Sequence, residues 1–279
     1  MTVFSPARKF APQFEADLTG FLRITLAATV VIPARLGSTR FPAKILASST
    51  GKPLVQHVVD QAVKCHRVRQ VLVATDDSAI VDALRPFGTH AVLTSRDHQS
   101  GTDRIAEVAR SLDDDIIVNV QGDEPEIEPE VIDGLIELLE NNPSADMATA
   151  VTTFPAGKDP TDPNLVKCVT GIDGRAVYFS RCPIPFRREP NNAQNAAYYL
   201  HLGIYAYRRE FLLRFASWAP TPLELTEKLE QLRVLEHGGE IRVLKVHRAT
   251  HGIDTPEQYE EFVNRHKKES RQSAVGSRQ

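Results

Sequence analysis

The stretch that decides the fold is VVIPARLGSTRFPAK, residues 30–44. It begins with apolar, β-branched residues, which are typical of a strand buried on both faces of a parallel sheet. The strand leads into a loop that carries three cations, Arg35, Arg40 and Lys44. Ligands of α/β proteins bind where such strands end, and three spaced cations suit a polyanion such as a nucleoside triphosphate. The alternative is a solvated loop with ordinary surface cations.

The composition argues against several classes of protein. The chain has 279 residues, 42% hydrophobic and 25% charged, with a net charge of −3, as expected of a globular protein with an ample core. This slightly acidic balance predicts no nucleic-acid partner, because such a partner requires a basic surface. No apolar run reaches the roughly 20 residues of a membrane span. Three scattered cysteines without a CxxC motif fit a reducing compartment, so we expect a cytoplasmic protein with no membrane partner.

Strand and helix patterns alternate through the first half of the chain. Apolar residues at helical spacing predict helices, short β-branched runs predict strands, and Pro129 marks a helix start. The predicted strands after the first are 71–74, 91–94 and 116–120, and the predicted helices are 53–66, 78–85, 102–111 and 129–141. This rhythm predicts an α/β fold with a doubly wound, mostly parallel central sheet flanked by helices.

Beyond residue 151 the pattern changes to strands without regular crossover helices. Two glycines at 171 and 174 lie between predicted strands and indicate a hairpin. Leucines at helical spacing then predict one helix that ends at Gly238. We expect a partly disordered N-terminal extension over 1–28 and a single domain over 29–268, of which about 150–220 form a smaller part. A polar tail is expected over 269–279.

Two aspartates follow predicted strands. Asp123, in the motif QGDEP, comes directly after strand 116–120 and is expected to face the same crevice as the cationic loop. Asp254 follows a predicted strand over 241–246 and precedes a helix that begins at Pro256. Mg²⁺ takes one or two protein carboxylates and keeps several waters, so these two acids are candidate metal ligands. The alternative for each is a helix cap.

Seven motifs occur in a fixed order along the chain. They are IPARLGSTRFPAK at 32–44, TSRDHQSGTDR at 94–104, VNVQGDEP at 118–125, YFSR at 178–181, HLGIY at 201–205, LEQLRVL at 229–235 and GIDTPEQ at 252–258. From about residue 29 to 265 the chain resembles the 3-deoxy-D-manno-octulosonate cytidylyltransferases, the CMP-Kdo synthetase family. IPAR and QGD occur in many sugar nucleotidyltransferases, whereas DHQSGT, HLGIY and LEQLR are more selective.

The resemblance implies a Rossmann-like nucleotidyltransferase fold with a smaller sugar-binding and dimerisation subdomain, working as a cytoplasmic homodimer. It implies that CTP activates 3-deoxy-D-manno-octulosonate (Kdo) to CMP-Kdo and pyrophosphate, for lipopolysaccharide-type polysaccharide biosynthesis, with Mg²⁺ as cofactor. The anomeric 2-hydroxyl of Kdo would attack the α-phosphorus of CTP in line. One departure is Ala43, which stands where the family has glycine beside the loop lysine.

The resemblance also implies a role for individual residues. The catalytic residues would be Arg35, Arg40, Lys44 and Asp123, and the metal ligands Asp123 and Asp254. The nucleotide would be bound by Ala34, Arg35, Gly37, Ser38, Arg40, Lys44, Gln99 and Ser100. The sugar would be bound by Arg181, His201, Tyr205, Glu230 and Gln231, side chains that suit a carboxylate and hydroxyls.

Several alternatives stay open. His201 and Tyr205 could be ordinary half-buried strand residues, and Glu230 a solvated helix residue. The acidic sugar could be an 8-amino analogue of Kdo or a sialic acid. The chain could also be a regulatory module that binds nucleotide without turnover.

Overall fold

The computed structural model describes most of the chain. The described ranges are 14–16, 22–24, 27–38, 40–189, 197–248 and 252–276. The strands are β1 (Phe14–Ala16), β2 (Leu22–Ile24), β3 (Ala28–Ala34), β4 (Gln70–Thr75), β5 (Ala91–Leu93), β6 (Ile116–Asn119), β7 (Met147–Thr153), β8 (Lys167–Thr170), β9 (Ala176–Ser180), β10 (Tyr199–Arg208) and β11 (Ile241–Val246). The α-helices are α1 (Leu54–Ala62), α2 (Ser78–Leu84), α3 (Gly101–Ala109), α4 (Pro129–Asn141), α5 (Arg209–Phe215), α6 (Pro222–Glu227), α7 (Gln231–Glu236) and α8 (Pro256–Gly276).

Nine of the described strands form one sheet. Its main path has the order β11-β7-β10-β6-β3-β4-β5, and the hairpin of β8 and β9 is attached to β10 through β8. Neighbours along the main path are parallel except at β10, which is antiparallel to both β6 and β7. The predicted α/β fold with a mostly parallel sheet is confirmed.

The strand order reverses at β3. The chain runs from β3 outward through β4 and β5, and then returns to place β6 on the other side of β3. Such a reversal leaves a crevice beyond the carboxyl ends of the central strands. The cationic loop 35–44 follows β3, and the segment 121–124 follows β6, so both open into this crevice.

Helices cover both faces of the sheet and bury two cores. Val30 and Ile32 of β3 belong to the core beneath α1 and α4, whereas Val31 belongs to the core beneath α3 and α5. Successive strand residues point to opposite faces, and here both faces are covered. This is why the run from residue 30 is apolar without alternation.

The structure corrects the prediction of one helix up to Gly238. Two helices, α6 and α7, are separated at Lys228, which has a left-handed φ of 53°. The backbone N–H of Leu229 donates to the carbonyl of Glu224, which closes the end of α6. Leucines at helical spacing lie on both sides of the break, so the spacing alone could not reveal it.

The C-terminal end of the chain differs from the prediction. Residues 269–276, predicted as a polar tail, continue α8. The predicted N-terminal extension lies mostly outside the described residues, and its two described strands, β1 and β2, pair antiparallel. Among the helices of the described ranges, none is both long and apolar enough to cross a membrane.

Candidate active site

The cationic loop directs one lysine inward. The backbone N–H of Ala43 donates to the carbonyl of Leu36 at 3.2 Å, and Ala43 has a left-handed φ of 53°. That conformation favours glycine, so the alanine at this position holds a mildly strained backbone. Lys44 follows at once and is buried at the start of a short 3-10 turn, while Arg35 and Arg40 stay exposed.

Lys44 joins the two predicted metal ligands. Its Nζ donates to Asp123 Oδ2 at 2.5 Å, to Asp254 Oδ1 at 2.9 Å and to the carbonyl of Ile253 at 2.8 Å. Arg40 Nη2 lies 2.9 Å from the second oxygen of Asp254. The two carboxylates, from distant parts of the sequence, therefore face the same point.

Backbone contacts place the two acids. The N–H of Ile253 donates to the carbonyl of Asp123 at 2.8 Å, which holds the segment 252–254 against the end of β6. Gly122 lies against β3, where an added Cβ would stand 3.0 Å from the carbonyl oxygen of Pro33 and 3.3 Å from the side chain of Ile45. The glycine of the QGDEP motif is therefore required by this close approach.

Neither aspartate caps a helix with its side chain. Helix α4 follows Glu128, five residues beyond Asp123, and has no side-chain cap bond there. At the start of α8, Gln258 Oε1 accepts hydrogen bonds from the backbone N–H groups of Asp254 and Thr255, and Thr255 Oγ1 accepts one from Gln258. The capping alternative is wrong for both acids, whose carboxylates are bonded to Lys44 instead.

The charge of Lys44 is stabilised by its partners. Burial lowers the pKa of Lys44, but the charge of Asp123 and the hydrogen bonds to Asp123 and Asp254 outweigh it, so the pKa is raised from its ordinary value. A cation, the Lys44 ammonium, is therefore held between two carboxylates.

The acid pair fits a divalent cation. One cation, the Lys44 ammonium, already contacts both carboxylates, so a single metal ion can do so too. Mg²⁺ requires hard oxygen ligands and takes only one or two from the protein, the rest coming from water and phosphates. The described ranges hold no group of three or more His, Cys, Asp or Glu residues that could cage a metal, and two acids suffice for Mg²⁺.

Two clefts meet at the acid pair. The first has a volume of about 370 Å³, and its lining includes Arg35, Gly37, Ser38, Arg40 and Lys44 together with Asp123 and Asp254. The second has a volume of about 410 Å³ and is also lined by Asp123 and Asp254. The arrangement offers one cleft with cations and a second cleft beside it, with the two acids at their junction.

The remaining predicted nucleotide ligands lie near the first cleft. Ala34 and Ser100 line a smaller adjacent hollow. The hydroxyl of Ser100 also caps α3 by accepting from the N–H of Asp103 at 3.1 Å. The side-chain amide of Gln99 donates to the carbonyl of Asp97 at 2.9 Å. The structure thus brings Ala34 and Ser100 to the site, but Gln99 lies outside the hollow and clefts described.

Three of the five predicted sugar ligands line the second cleft, namely His201, Tyr205 and Gln231. His201 Nε2 lies 2.9 Å from the hydroxyl of Thr149, and burial lowers the pKa of His201 to about 3, which keeps the ring neutral. The side-chain amide nitrogen of Gln231 is buried and has no hydrogen-bond partner within the described residues. A buried donor left unpaired costs about 1–3 kcal/mol, and sugar binding by Gln231 stays a prediction.

A β-bulge underlies the HLGIY motif. The register of β10 against β7 shifts between Leu202 and Tyr205, around Gly203. The hydroxyl of Thr149 donates to the carbonyl of Ile204 at 2.8 Å across this irregularity. Bulges re-aim side chains next to binding sites, and this one lies directly in the wall of the second cleft.

Glu230 lies behind the wall of the second cleft. Its carboxylate accepts a hydrogen bond from the hydroxyl of Thr102 at 2.5 Å and lies 3.6 Å from the guanidinium of Arg233. Burial raises the pKa of Glu230, against the opposing effects of Thr102 and Arg233. The alternative of a solvated helix residue is therefore wrong, and sugar binding by Glu230 stays a prediction.

Arg181 is also bonded outside the cleft lining. Its guanidinium donates to the carbonyls of Pro163 at 2.7 Å, Glu227 at 2.6 Å and Lys228 at 3.2 Å. These bonds join the segment before β8 to the turn between α6 and α7. The structure does not bring Arg181 onto the described lining of the second cleft, so its contact with a sugar carboxylate stays a prediction.

Sequence reasoning missed Glu124 as a site residue. Glu124 lines the second cleft beside Asp123. Burial, together with the neighbouring charge of Asp123, raises the pKa of Glu124 to about 8. Its position as the second acid of QGDEP was the available signal.

Comparison with known proteins identifies the family. The sequence profile of a family described as "Cytidylyltransferase" matches residues 29–242. The 3-deoxy-manno-octulosonate cytidylyltransferase of Geobacter sulfurreducens is 48% identical over 245 residues, which cover 85% of this chain and 98% of that protein. The protein of the same name from Geobacter metallireducens is 50% identical over 245 residues, with 85% and 96% covered.

Solved structures of similar proteins agree with this family assignment. A structure of CMP:2-keto-3-deoxy-manno-octonic acid synthetase complexed with CTP is 40% identical, has a TM-score of 0.82 and is matched over 87% of this chain and 99% of that one. A cytidylyltransferase from Leptospira borgpetersenii shares the fold at 17% identity, with a TM-score of 0.58 and 85% of each chain covered. With the profile match and the identity over nearly the whole length of its relatives, this chain belongs to the 3-deoxy-manno-octulosonate cytidylyltransferase family.

Proposed function

We propose that the protein transfers the cytidylyl group of CTP to Kdo, giving CMP-Kdo and pyrophosphate. The observation that carries this proposal is the junction of two clefts at Asp123 and Asp254, with the loop cations on one side only. A triphosphate suits the first cleft, and a polar sugar suits the second, where His201, Tyr205 and Gln231 offer hydrogen bonds. The identity to relatives that are named for this reaction supports the same choice.

The reaction proposed is an in-line displacement at the α-phosphorus. The anomeric 2-hydroxyl oxygen of Kdo forms the new bond to phosphorus and gives up its proton to water, and the bond to the pyrophosphate oxygen breaks. Arg35, Arg40 and Lys44 would bind the phosphates and stabilise the charge that develops on the leaving group. The residues of the second cleft would hold the attacking hydroxyl in line, which reduces the entropic part of the barrier.

Asp123 and Asp254 are the residues whose carboxylates would hold Mg²⁺. When bound, the metal would neutralise charge on the phosphate oxygens. Lys44, whose ammonium contacts both acids, would then turn from the acids to the phosphates.

The described cleft linings favour a direct transfer. They contain no cysteine, and His201 is bonded to Thr149 rather than to a serine nucleophile. A covalent enzyme intermediate needs a nucleophile paired with a base, so a single displacement is the simpler proposal.

Pyrophosphate release tests the function. The purified protein is incubated with CTP, Mg²⁺ and one of three sugars, namely Kdo, its 8-amino analogue or a sialic acid. We expect release with Kdo. Release with only one of the other sugars would reassign the substrate, and CTP binding without release from any sugar would favour a regulatory module.

We also propose a cytoplasmic homodimer that serves lipopolysaccharide-type polysaccharide synthesis. The resemblance supports it, and so does the loop 181–197, where the described residue Phe186 is 86% exposed. A dimer contact through this loop would cover the Phe186 ring. Light scattering should give twice the mass of the chain, and Phe186→Ser should weaken that assembly. A wild-type monomer at micromolar concentration would contradict the proposal.

A further inference from the structure

A lysine is buried beside the second cleft without an acidic partner. Lys167, the first residue of β8, is 0% exposed. Its Nζ donates to the backbone carbonyls of Asp162, at 3.0 Å, and Arg181. Throughout the part of the chain that the structure describes, Lys167 makes hydrogen bonds to carbonyls and no ion pair with a carboxylate.

This burial is costly for the fold. A charge removed from water is normally paired with an opposite charge, and lysine is among the residues least often fully buried. Burial lowers the pKa of Lys167, and the charges of Asp162 and Glu227 act in the opposite direction. A neutral donor such as glutamine could donate to carbonyls without burying a charge. The charge of Lys167 therefore needs an explanation other than stability.

The two carbonyls that Lys167 holds belong to segments around the second cleft. Asp162 begins a turn, and residues 164–166, which follow it, line that cleft. Arg181 ends the neighbouring hairpin, and its guanidinium reaches both Pro163 and the turn at Lys228. Lys167 is thus the buried member of a set of hydrogen bonds that connects two parts of the cleft wall.

The charge of the cleft itself provides a second, independent observation. Three acids, Asp123, Glu124 and Asp254, are among its lining residues, and none of the described lining residues is a lysine or arginine. Lys44 and Arg40 pair with Asp123 and Asp254, and burial raises the pKa of Glu124, but the lining itself offers no cation to an anionic ligand. Lys167 lies directly after the lining residue Val166, and its side chain is shielded from water.

We propose that Lys167 is a positioning and specificity-determining residue for the acidic sugar. Its buried charge supplies positive potential for the substrate carboxylate, and its two hydrogen bonds fix the wall formed by residues 164–166. This role rests on the proposed function, because it assumes that an acidic sugar occupies the second cleft.

Two variants separate this role from a purely structural one. Lys167→Met removes the charge and both donors, whereas Lys167→Gln removes the charge and keeps an amide that donates to carbonyls. Lys158→Met is the matched control, since Lys158 is exposed in the same connection between β7 and β8. The measurements are KM for Kdo, KM for CTP and kcat from pyrophosphate release. Calorimetry also gives the dissociation constant of a 2-deoxy analogue of Kdo, which lacks the attacking hydroxyl.

We expect both Lys167 variants to raise KM for Kdo and the dissociation constant of the analogue about tenfold. KM for CTP should stay within about twofold of wild type, and the control should match wild type in every measurement. The carbonyl of Asp162 keeps the N–H of Leu165 as a donor, so the wall retains part of its bonding in either variant. If Lys167→Met does not fold, Lys167→Gln decides the outcome.

Two results would overturn the proposal. One is a KM for Kdo within about twofold of wild type in the folded variants. The other is a parallel loss of Kdo and CTP affinity together with a lower melting temperature, which would mark a purely structural residue. A wild-type protein that releases no pyrophosphate from CTP and Kdo would instead refute the proposed function, and the two failures are therefore distinguishable.

Discussion

Replacement of Lys44 by methionine should increase the affinity of the nucleotide-free protein for a divalent cation. The Lys44 ammonium lies 2.5 Å from Asp123 Oδ2 and 2.9 Å from Asp254 Oδ1, where a cation bound by both acids would lie. A metal ion that binds both acids must displace this ammonium. Methionine has a similar length and no charge, so the acids of Lys44→Met are left without that neutralising partner.

The magnitude follows from the three hydrogen bonds that the metal would break. Bonds to charged groups contribute about 1.5–3 kcal/mol each when buried. The side chains of Asp123 and Asp254 are 25% and 40% exposed, so solvent screens much of this energy. We take about 1–2 kcal/mol as the net free energy of the three hydrogen bonds together, which corresponds to about 5–30-fold tighter metal binding in Lys44→Met.

The assay is a Mn²⁺ titration of the nucleotide-free protein, with the free ion measured by electron paramagnetic resonance. Wild type, Lys44→Met and the control Lys64→Met are compared, since Lys64 is exposed at the end of α1 and donates to Gln61. The control should match wild type. In the presence of CTP, Lys44→Met should instead bind Mn²⁺ more weakly than wild type, because the variant lacks a cation for the phosphates. An unchanged or weaker affinity of nucleotide-free Lys44→Met for Mn²⁺ would refute this reasoning.

Three further predictions concern one acid, two histidines and one glycine. Asp123→Asn should keep the fold and lower kcat for pyrophosphate release about 10²-fold or more, and near-normal turnover at low Mg²⁺ would remove Asp123 from the metal site. Burial lowers the pKa of His57 to about 4 and of His201 to about 3, so below about pH 6.5 the unfolded chain binds protons that the folded chain does not. Urea unfolding at pH 5 should therefore show a free energy of unfolding that is lower by about 2 kcal/mol per histidine than at neutral pH. A His57→Gln variant that loses as much stability at pH 5 as wild type would contradict this. Gly122→Ala would place a Cβ 3.0 Å from the carbonyl oxygen of Pro33 and should lower the free energy of unfolding by about 1–3 kcal/mol, whereas an unchanged melting temperature would disprove the close approach.

Much of the fold could be predicted because its signals are local. The unbroken apolar run at 30–32 predicts a strand covered on both faces, and Pro129 predicts the start of α4, which the structure has at that residue. The break at Lys228 could not be predicted, because a left-handed lysine depends on its surroundings, including the Arg181 guanidinium that binds its carbonyl. The antiparallel insertion of β10 depends on pairing with strands far away in sequence, which no local pattern encodes.

The site, like the fold, has features that the sequence could predict and features that it could not. The cations of the loop 35–44, Asp123 and Asp254 could be placed because each lies in a segment that follows a predicted strand. The ammonium bridge of Lys44 could not be predicted, since it requires the backbone contact between Ile253 and Asp123. The position of Arg181 depends on the turn between α6 and α7, which the sequence interpretation treated as one continuous helix.

The most direct measurement is a crystal structure with CTP and Mn²⁺, in which anomalous scattering locates the metal. We expect a manganese ion that is coordinated by both Asp123 and Asp254 and by phosphate oxygens, with Lys44 turned to the phosphates. A manganese ion bound by neither or only one of these carboxylates, with Lys44 still between them, would contradict the shared cation site.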